Sequence, residues 1–399
     1  MSTSTDHSMH DVLIVGGGAS GLMCAIHAGY NGHKVLLLEK GPKVGLKILV
    51  SGGGRCNFTN RRVDPNQHFL SDNPHFCISA LKRYPPERFI EMVENHGIDY
   101  HEKKLGQLFC DHSAKDIVAM LLTEAEWAGV EIRTSTEVSS IKKNPDESFA
   151  VHTASQVHRA RRVVLASGGL SMPKIASDLA FRAANEFGLD VVAPRAALVP
   201  LTWNSGDKES FANLSGISLD ANVSCGTTSF RENILFTHRG LSGPSILQIS
   251  SFWREGQSVL INLLPELDAK TWLLAQRTSS PKIHLVNLLK QHLPNRLVDY
   301  MSAHWFEDQK IGSFTHTQLH ECAEKLNAWS FKPGGTEGYR TAEVTLGGIS
   351  TNEVSSKTFA VEKVPGLYAI GEAIDVAGWL GGYNFQWAWA SAYCCATQL

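Results

Sequence analysis

The sequence predicts an α/β fold interrupted by an inserted β-plus-helical domain. Three observations predict it. Two apolar runs, Val12-Leu13-Ile14-Val15 and Val35-Leu36-Leu37-Leu38, flank a glycine-rich turn and a helix-like stretch, which is the strand–helix–strand order of an α/β unit. A further buried-strand run, Arg162-Val163-Val164-Leu165-Ala166, also ends in glycines, at Gly168-Gly169. From about residue 195 the composition turns to Ser-, Asn- and Thr-rich alternation and then to helical periodicity, and the α/β pattern resumes near residue 336. The expected division is 1–194, an insert over 195–335, and 336–399.

Taken in order, residues 1–10 are polar and read as a loose tail. The first strand then runs into Gly16-Gly17-Gly18-Ala19-Ser20-Gly21, a G-x-G-x-x-G pattern. In a Rossmann-type turn Gly16 makes the bend, Gly18 lets backbone approach a pyrophosphate, and Gly21 permits close packing of helix on strand. The helix N-terminus then faces the phosphates, and Glu39, ending the second strand, stands where a ribose hydroxyl needs a carboxylate. The reading is dinucleotide binding, set against a glycine-rich turn with no ligand.

Ser51-Gly52-Gly53-Gly54-Arg55-Cys56-Asn57-Phe58-Thr59-Asn60 follows. Adjacent glycines cost backbone entropy and add nothing to a core, so backbone pressed against a ligand explains them better than a flexible surface loop. Residues 75–97 and 113–129 are expected to be helical, with a ribbon over 101–110 turning at Gly106 between them. Short strands are expected at 130–133, 137–141 and 149–152, a helix at 178–187 stopped by Gly188, and a strand at 189–192. The insert reads as a small β-unit over 201–264 and several helices over 266–330. Near the end, Gly381-Gly382-Tyr383-Asn384-Phe385-Gln386 opens an apolar helix whose free N–H groups could stabilise a negatively charged ring such as a reduced flavin.

The bulk numbers narrow the class. A net charge of −2 gives no global basic field, which argues against a dedicated nucleic-acid binder, although Arg61-Arg62, Lys103-Lys104 and Lys142-Lys143 form local clusters. The eight cysteines show no metal-type spacing and no C-x-x-C pair, so they read as reduced thiols of a cytoplasmic protein, with no metal site. No stretch reaches the roughly eighteen apolar residues of a membrane span.

At Ser51 to Asn60 the chain resembles the bacterial FAD-dependent oxidoreductases of the BaiN/RdsA type, whose signature contains SGGGRCN-x-TN. The resemblance continues in Leu105-Gly106-Gln107-Leu108-Phe109, in residues 235–244 and 336–348, and in residues 379–389. Residues 101–110 and 379–389 look most like the ribosomal RNA dihydrouridine synthase branch. The resemblance implies a glutathione-reductase-like FAD-binding domain, with FAD as the prosthetic group and NAD(P)H as the co-substrate. By position it places Gly16, Gly18 and Gly21 on the pyrophosphate, Glu39 on the ribose, and Lys40 and Val138 beside the adenine. Gly371 and Glu372 would face the ribityl and phosphates, Gly382, Tyr383 and Asn384 the isoalloxazine, with Gly53, Arg55, Cys56, Asn57 and Gly168 completing the cofactor set. One departure stands out: family members follow S-x-P with a glycine-containing turn, whereas Ser171-Met172-Pro173 leads into Lys174-Ile175-Ala176-Ser177-Asp178 without one.

Reducing the C5–C6 bond of a uracil needs a hydride at C6 and a proton at C5. Cys56, His238 and Tyr383 are the chemically competent donors in the motifs, each with a purely packing role as its alternative. Trp203, Phe230, Arg231 and Arg239 of the insert are expected to stack on and grip RNA. Two other functions remain open, a small-molecule ene-reductase using the same flavin and a non-enzymatic flavin-binding protein.

Overall fold

Val12-Leu13-Ile14-Val15 is apolar on both faces, as a strand covered by helices on each side of a parallel sheet must be. In the computed structural model, which describes residues 4–399, this run ends the long strand Ser4–Val15. Five strands run parallel in the order Glu131–Arg133, Val35–Leu38, Ser4–Val15, Gln156–Leu165 and Leu367–Ala369. Val15 lies beside Leu38 and Leu165, and Leu165 beside Ala369, so the carboxyl ends of four strands finish on one line. That line is where an open α/β sheet receives its ligand.

The strand expected at 162–166 is longer, Gln156–Leu165, and its first half pairs antiparallel with Phe149–Thr153, which in turn pairs with Val138–Lys143. The other edge of that half takes up the N-terminal segment. Ser4 and Thr5 stand opposite Gln156 and Val157, and Met9 and His10 opposite Arg159 and Ala160. The expected loose tail is therefore corrected from Ser4 onward, residues 1–3 lying outside the described residues; sheet pairing uses backbone groups and needs no apolar side chains. The helix expected over 75–97 is two helices, Ile78–Arg83 and Pro86–Asn95. Pro85 excludes the helical region at Tyr84 and restarts the chain with Pro86 at the first helical position. Ala114–Trp127 begins at Ser113 with a capping box closed by Asp116.

The described chain divides into two compact units, one running through Arg195 and resuming over Val344–Leu399, the other Ala196–Glu343. The second is built on a seven-stranded sheet, ordered Trp329–Phe331, Val259–Asn262, Ser218–Cys225, Thr228–Phe236, Gly240–Ser242, Leu201–Thr202 and Gly335–Thr336. Its two outer strands come from beyond the helices Ala269–Ser279, Leu285–Leu289, Asn295–His304 and His316–Asn327. Among the described residues no helix is long and apolar enough to cross a membrane.

Candidate active site

The glycine turn leaves the first strand at the aligned sheet edge, and its three motif glycines differ in what surrounds them. Gly16 has φ +111°, and a Cβ there would stand 2.5 Å from the Ala166 carbonyl oxygen. A Cβ on Gly21 would stand 1.8 Å from the Gly16 oxygen. At Gly18 a Cβ would meet no protein atom within 4 Å, so the open space beside it is the kind a ligand fills. Gly18 also begins the Ala19–Tyr30 helix without a side-chain cap, which leaves the helix N-terminus to an anion. The Glu39 carboxylate is oriented by two backbone N–H groups, Gly17 N to Oε2 (2.7 Å) and Gly41 N to Oε1 (2.6 Å). A cavity of about 440 Å³ opens here and brings together Gly16, expected at the pyrophosphate, with Glu39, Lys40 and Val138, expected around the adenosine, and is also lined by Ser167 and Arg182. Lys40 Nζ donates to the Ala176 oxygen across it.

The 51–60 segment begins with a tight turn, Ser51–Gly54, in which Gly52, Gly53 and Gly54 all take positive φ (+56°, +67° and +86°). A Cβ at Gly53 or Gly54 would enter open space. Arg55 is exposed, whereas Cys56 is fully buried at φ +48°, and burial pushes its thiol far above the ordinary range. Asn57 opens a strand, Asn57–Asn60, that pairs antiparallel with Gln107–Cys110, itself paired with Tyr100–Glu102. Gly168, at φ +72°, has only Glu372 within 4 Å of a built Cβ. Glu372 is tied down by three neighbours: Lys47 Nζ (2.6 Å), Thr345 N (2.8 Å) and Ser171 Oγ (3.3 Å). The glycine missing from 174–178 is not needed, because the left-handed residue is Met172 (φ +58°), and its carbonyl accepts from Ile175 N and Ala176 N.

One helix holds these pieces in place. Tyr383–Ala396 starts at Gly382, left-handed at φ +94°, where a Cβ would stand 2.4 Å from the Thr59 oxygen. Its Gln386 accepts from Thr59 Oγ1 (2.7 Å) and donates to the Tyr84 oxygen (2.7 Å), and Trp389 Nε1 donates to the Phe58 oxygen (2.9 Å). On the other side Trp387 Nε1 donates to the Gly371 oxygen (3.0 Å), and Gly371 N donates to Ser391 Oγ (3.1 Å). The Asn57 strand, the Gly371 turn and the Gly382 helix start are thereby fixed to one rod. Asn384 uses its amide on the loop before it, accepting from Gly378 N and donating to Gly378 O, both at 2.8 Å. Tyr383 is buried, its phenol pushed up to about 12 by burial, and its ring lies 4.4 Å from that of His68.

The roles of several contributors are invisible to motif reading. Ser171, Thr345 and Gln386 lie in recognised motifs and Lys47 and His68 outside them, yet the motifs give none of them a role, because these residues sit far apart in sequence and become neighbours only through the fold. His238 is exposed in the turn before Gly240–Ser242 of the second unit. Trp203 and Phe230, expected to stack on RNA, are buried at 6% exposure each. Trp203 stacks on Phe211 at 4.6 Å in the core of its unit, because a sheet with helices on it buries its large apolar side chains first. Arg231 and Arg239 are exposed and paired, Arg231 with Asp220 (2.8 Å) and Glu266, Arg239 with Glu337 (3.4 Å).

The open faces at Gly18, Gly53 and Gly54, the uncapped helix start and the oriented Glu39 carboxylate suit a dinucleotide with a flat ring, and FAD is such a molecule. Fold and site define an FAD-dependent oxidoreductase with a Rossmann-type FAD-binding domain. The chain belongs to the HI0933-like Rossmann-domain family, whose profile matches residues 10–398. It is 49% identical over 399 residues to the "Ribosomal RNA dihydrouridine synthase" of Escherichia coli K12, covering 98% of each chain. It is 45% identical over 394 residues to the protein of that name from Haemophilus influenzae, covering 97% of this chain and 98% of that one. The "3-dehydro-bile acid delta(4,6)-reductase" of Clostridium scindens is 29% identical over 407 residues, covering 96% of this chain and 98% of that one.

Proposed function

We propose that this chain reduces a uridine of large-subunit ribosomal RNA to dihydrouridine in the cytoplasm, using FAD and drawing its electrons from NAD(P)H. The observation that carries the reading is end-to-end likeness, at 49% identity, to a ribosomal RNA dihydrouridine synthase. FAD, when bound, supplies the hydride that adds to C6 of the uracil. The chain supplies the rest. Gly16, Gly18 and the start of the Ala19–Tyr30 helix hold the pyrophosphate, and Glu39 binds the adenosine ribose between Lys40 and Val138. The uncapped start of the Tyr383–Ala396 helix stabilises negative charge on the ring. The C5 proton needs a donor that is protonated at neutral pH and within reach. Cys56 is protonated but fully enclosed. Tyr383 is protonated, is buried but keeps 6% exposure where Cys56 has none, carries no hydrogen bond on its hydroxyl among the described residues, and stands at the helix start, so it is the preferred donor. His238, the third candidate donor, is exposed in the insert and is assigned a substrate contact there rather than the proton.

The bile-acid reductase likeness favours a second reading, reduction of a small enone by the same site. Mass mapping of dihydrouridine in large-subunit ribosomal RNA from a strain lacking the gene separates the two. Loss of one dihydrouridine, restored by the wild-type gene and not by Tyr383→Phe, is expected. Unchanged ribosomal RNA together with NAD(P)H-dependent reduction of a steroid enone by purified protein overturns the first reading in favour of the second.

A further inference from the structure

The hairpin between Tyr100–Glu102 and Gln107–Cys110 turns on two successive left-handed residues, Leu105 (φ +55°) and Gly106 (φ +81°). It is closed by Gln107 N donating to the Lys104 oxygen (3.1 Å) and Lys103 N to the Gln107 oxygen (2.9 Å). Such two-residue turns are made without strain by Asn-Gly or Gly-Gly, not by leucine. Leu105 is also 53% exposed, so burial does not account for it either.

Its surroundings are cationic. Lys103 and Lys104 precede it and are exposed, and Arg61 donates its backbone N–H to the Gly106 oxygen (2.9 Å), which brings exposed Arg61 and Arg62 to the same tip. Arg61 is paired with Glu102 (3.3 Å). A lone leucine ringed by cations is too small an apolar patch for a protein partner, but it matches what nucleic-acid proteins use to part stacked bases.

The tip is rigidly linked to the helix that carries Tyr383. Buried Asn60 donates to both the Leu105 oxygen (3.1 Å) and the Gly381 oxygen (2.8 Å), and its Oδ1 accepts from Arg62 N (2.8 Å). A Cβ on Gly106 would stand 2.5 Å from that same Oδ1, so the turn must keep its glycine to sit there.

We propose that Leu105 is a wedge that inserts between bases of the RNA while Arg62 and Lys103 hold the flanking phosphates, drawing the target uridine out of its stack toward the Gly381–Tyr383 loop. The inference rests on the RNA reading above and adds a substrate-recognising element in the FAD-binding unit. A base that must take a hydride at C6 from a ring stacked on it and a proton at C5 has to leave its stack, and an apolar wedge offsets part of that loss.

The test uses the FAD-loaded protein with a folded ribosomal RNA fragment and a single-stranded oligonucleotide of the same sequence, each with 2-aminopurine beside the target uridine. Leu105→Gly suits the left-handed backbone, so the hairpin survives the loss of the side chain. Wild type is expected to raise 2-aminopurine fluorescence on the folded fragment, and Leu105→Gly is not. The ratio of dihydrouridine formed on folded RNA to that on the oligonucleotide should fall about tenfold or more. Arg62→Ala with Lys103→Ala should lower the slope of log Kd against log salt by about 1 per cation removed. A Leu105→Gly protein with the wild-type ratio and the wild-type fluorescence rise overturns the wedge alone. A wild-type protein inert on both RNAs overturns the RNA reading and the wedge with it.

Discussion

At the scale of the residue, the glycines of one motif serve different physical ends, and substitution should separate them. A side chain at Gly21 meets the Gly16 carbonyl at 1.8 Å, so Gly21→Ala forces helix and strand apart and should cost about 3 kcal/mol or more, read as a lower thermal midpoint of the apoprotein. Gly18→Val places its Cβ where no protein atom lies within 4 Å and has an ordinary φ of −78°, so the apoprotein should keep its midpoint while the purified protein loses its yellow colour. Full flavin content in Gly18→Val would remove the pyrophosphate assignment. His27 gives a pH prediction. Packed 4.9 Å from the Tyr393 ring, it is lowered by burial from 6.5 to about 4, with Glu124 opposing the shift. Unfolding frees it to bind a proton between those two values, so its contribution is complete above pH 6.5 and is lost as pH falls toward 4, in total on the order of 3 kcal/mol. His27→Leu should flatten the thermal midpoint against pH across that window. Residues of the cradle were legible where backbone chemistry demanded glycine or an acid at fixed spacing. Lys47 and Thr345, which clamp Glu372, were not, because nothing local marks a lysine as destined for a carboxylate 325 positions away.

At the scale of the element, the Tyr383–Ala396 helix orders the Asn57 strand and the Gly371 turn. Its glycine lead-in and apolar character were readable. That its polar residues reach in opposite directions to the Thr59 strand, 327 positions away, and to the Gly371 turn, 16 to 20 positions away, was not, since such bonds leave no periodic trace in the sequence. Gln386→Leu would strand Thr59 Oγ1 and the Tyr84 carbonyl in a fully buried place and should cost about 2 to 4 kcal/mol, with weaker retention of FAD in equilibrium dialysis. A variant of unchanged stability would mean that the rod is held by its aromatic packing alone, where Trp389 lies 4.3 Å from Phe89. The elements that sequence misplaced share a cause. The helix over 75–97 was divided by Pro85, the Ser4–His10 segment was recruited by an unpaired strand edge, and the 171–178 turn put its left-handed residue at Met172 rather than at a glycine. At Pro85 a local proline rule outweighed the helical periodicity, and in the other two cases tertiary demand on the backbone outweighed local composition.

At the scale of the whole molecule, the change in composition near residue 195 was legible because an inserted sheet has its own alternation. The return point was less so, because the second unit runs on to Glu343 through the short outer strand Gly335–Thr336. The chain leaves the first unit on Val191–Ala197 and comes back on Val344–Ile349, and these two strands pair in a sheet of their own. The apolar core that contains Val12, Leu36, Trp387 and Trp389 draws no residue from 196–343. A turn of a few residues can therefore replace Ala196–Glu343 without opening that core or lengthening the closure. Such a protein is expected to stay soluble, to unfold cooperatively and to bind FAD, since every residue assigned to the cofactor lies outside the removed segment. It should form no dihydrouridine if the insert, with His238, Arg231 and Arg239, governs the substrate. Because the Leu105 hairpin remains, it should still bind RNA weakly and with a salt dependence that Arg62→Ala reduces. A colourless or aggregated product would show that the cofactor unit depends on the insert, and full activity would remove the insert from substrate recognition and leave the hairpin as its main determinant.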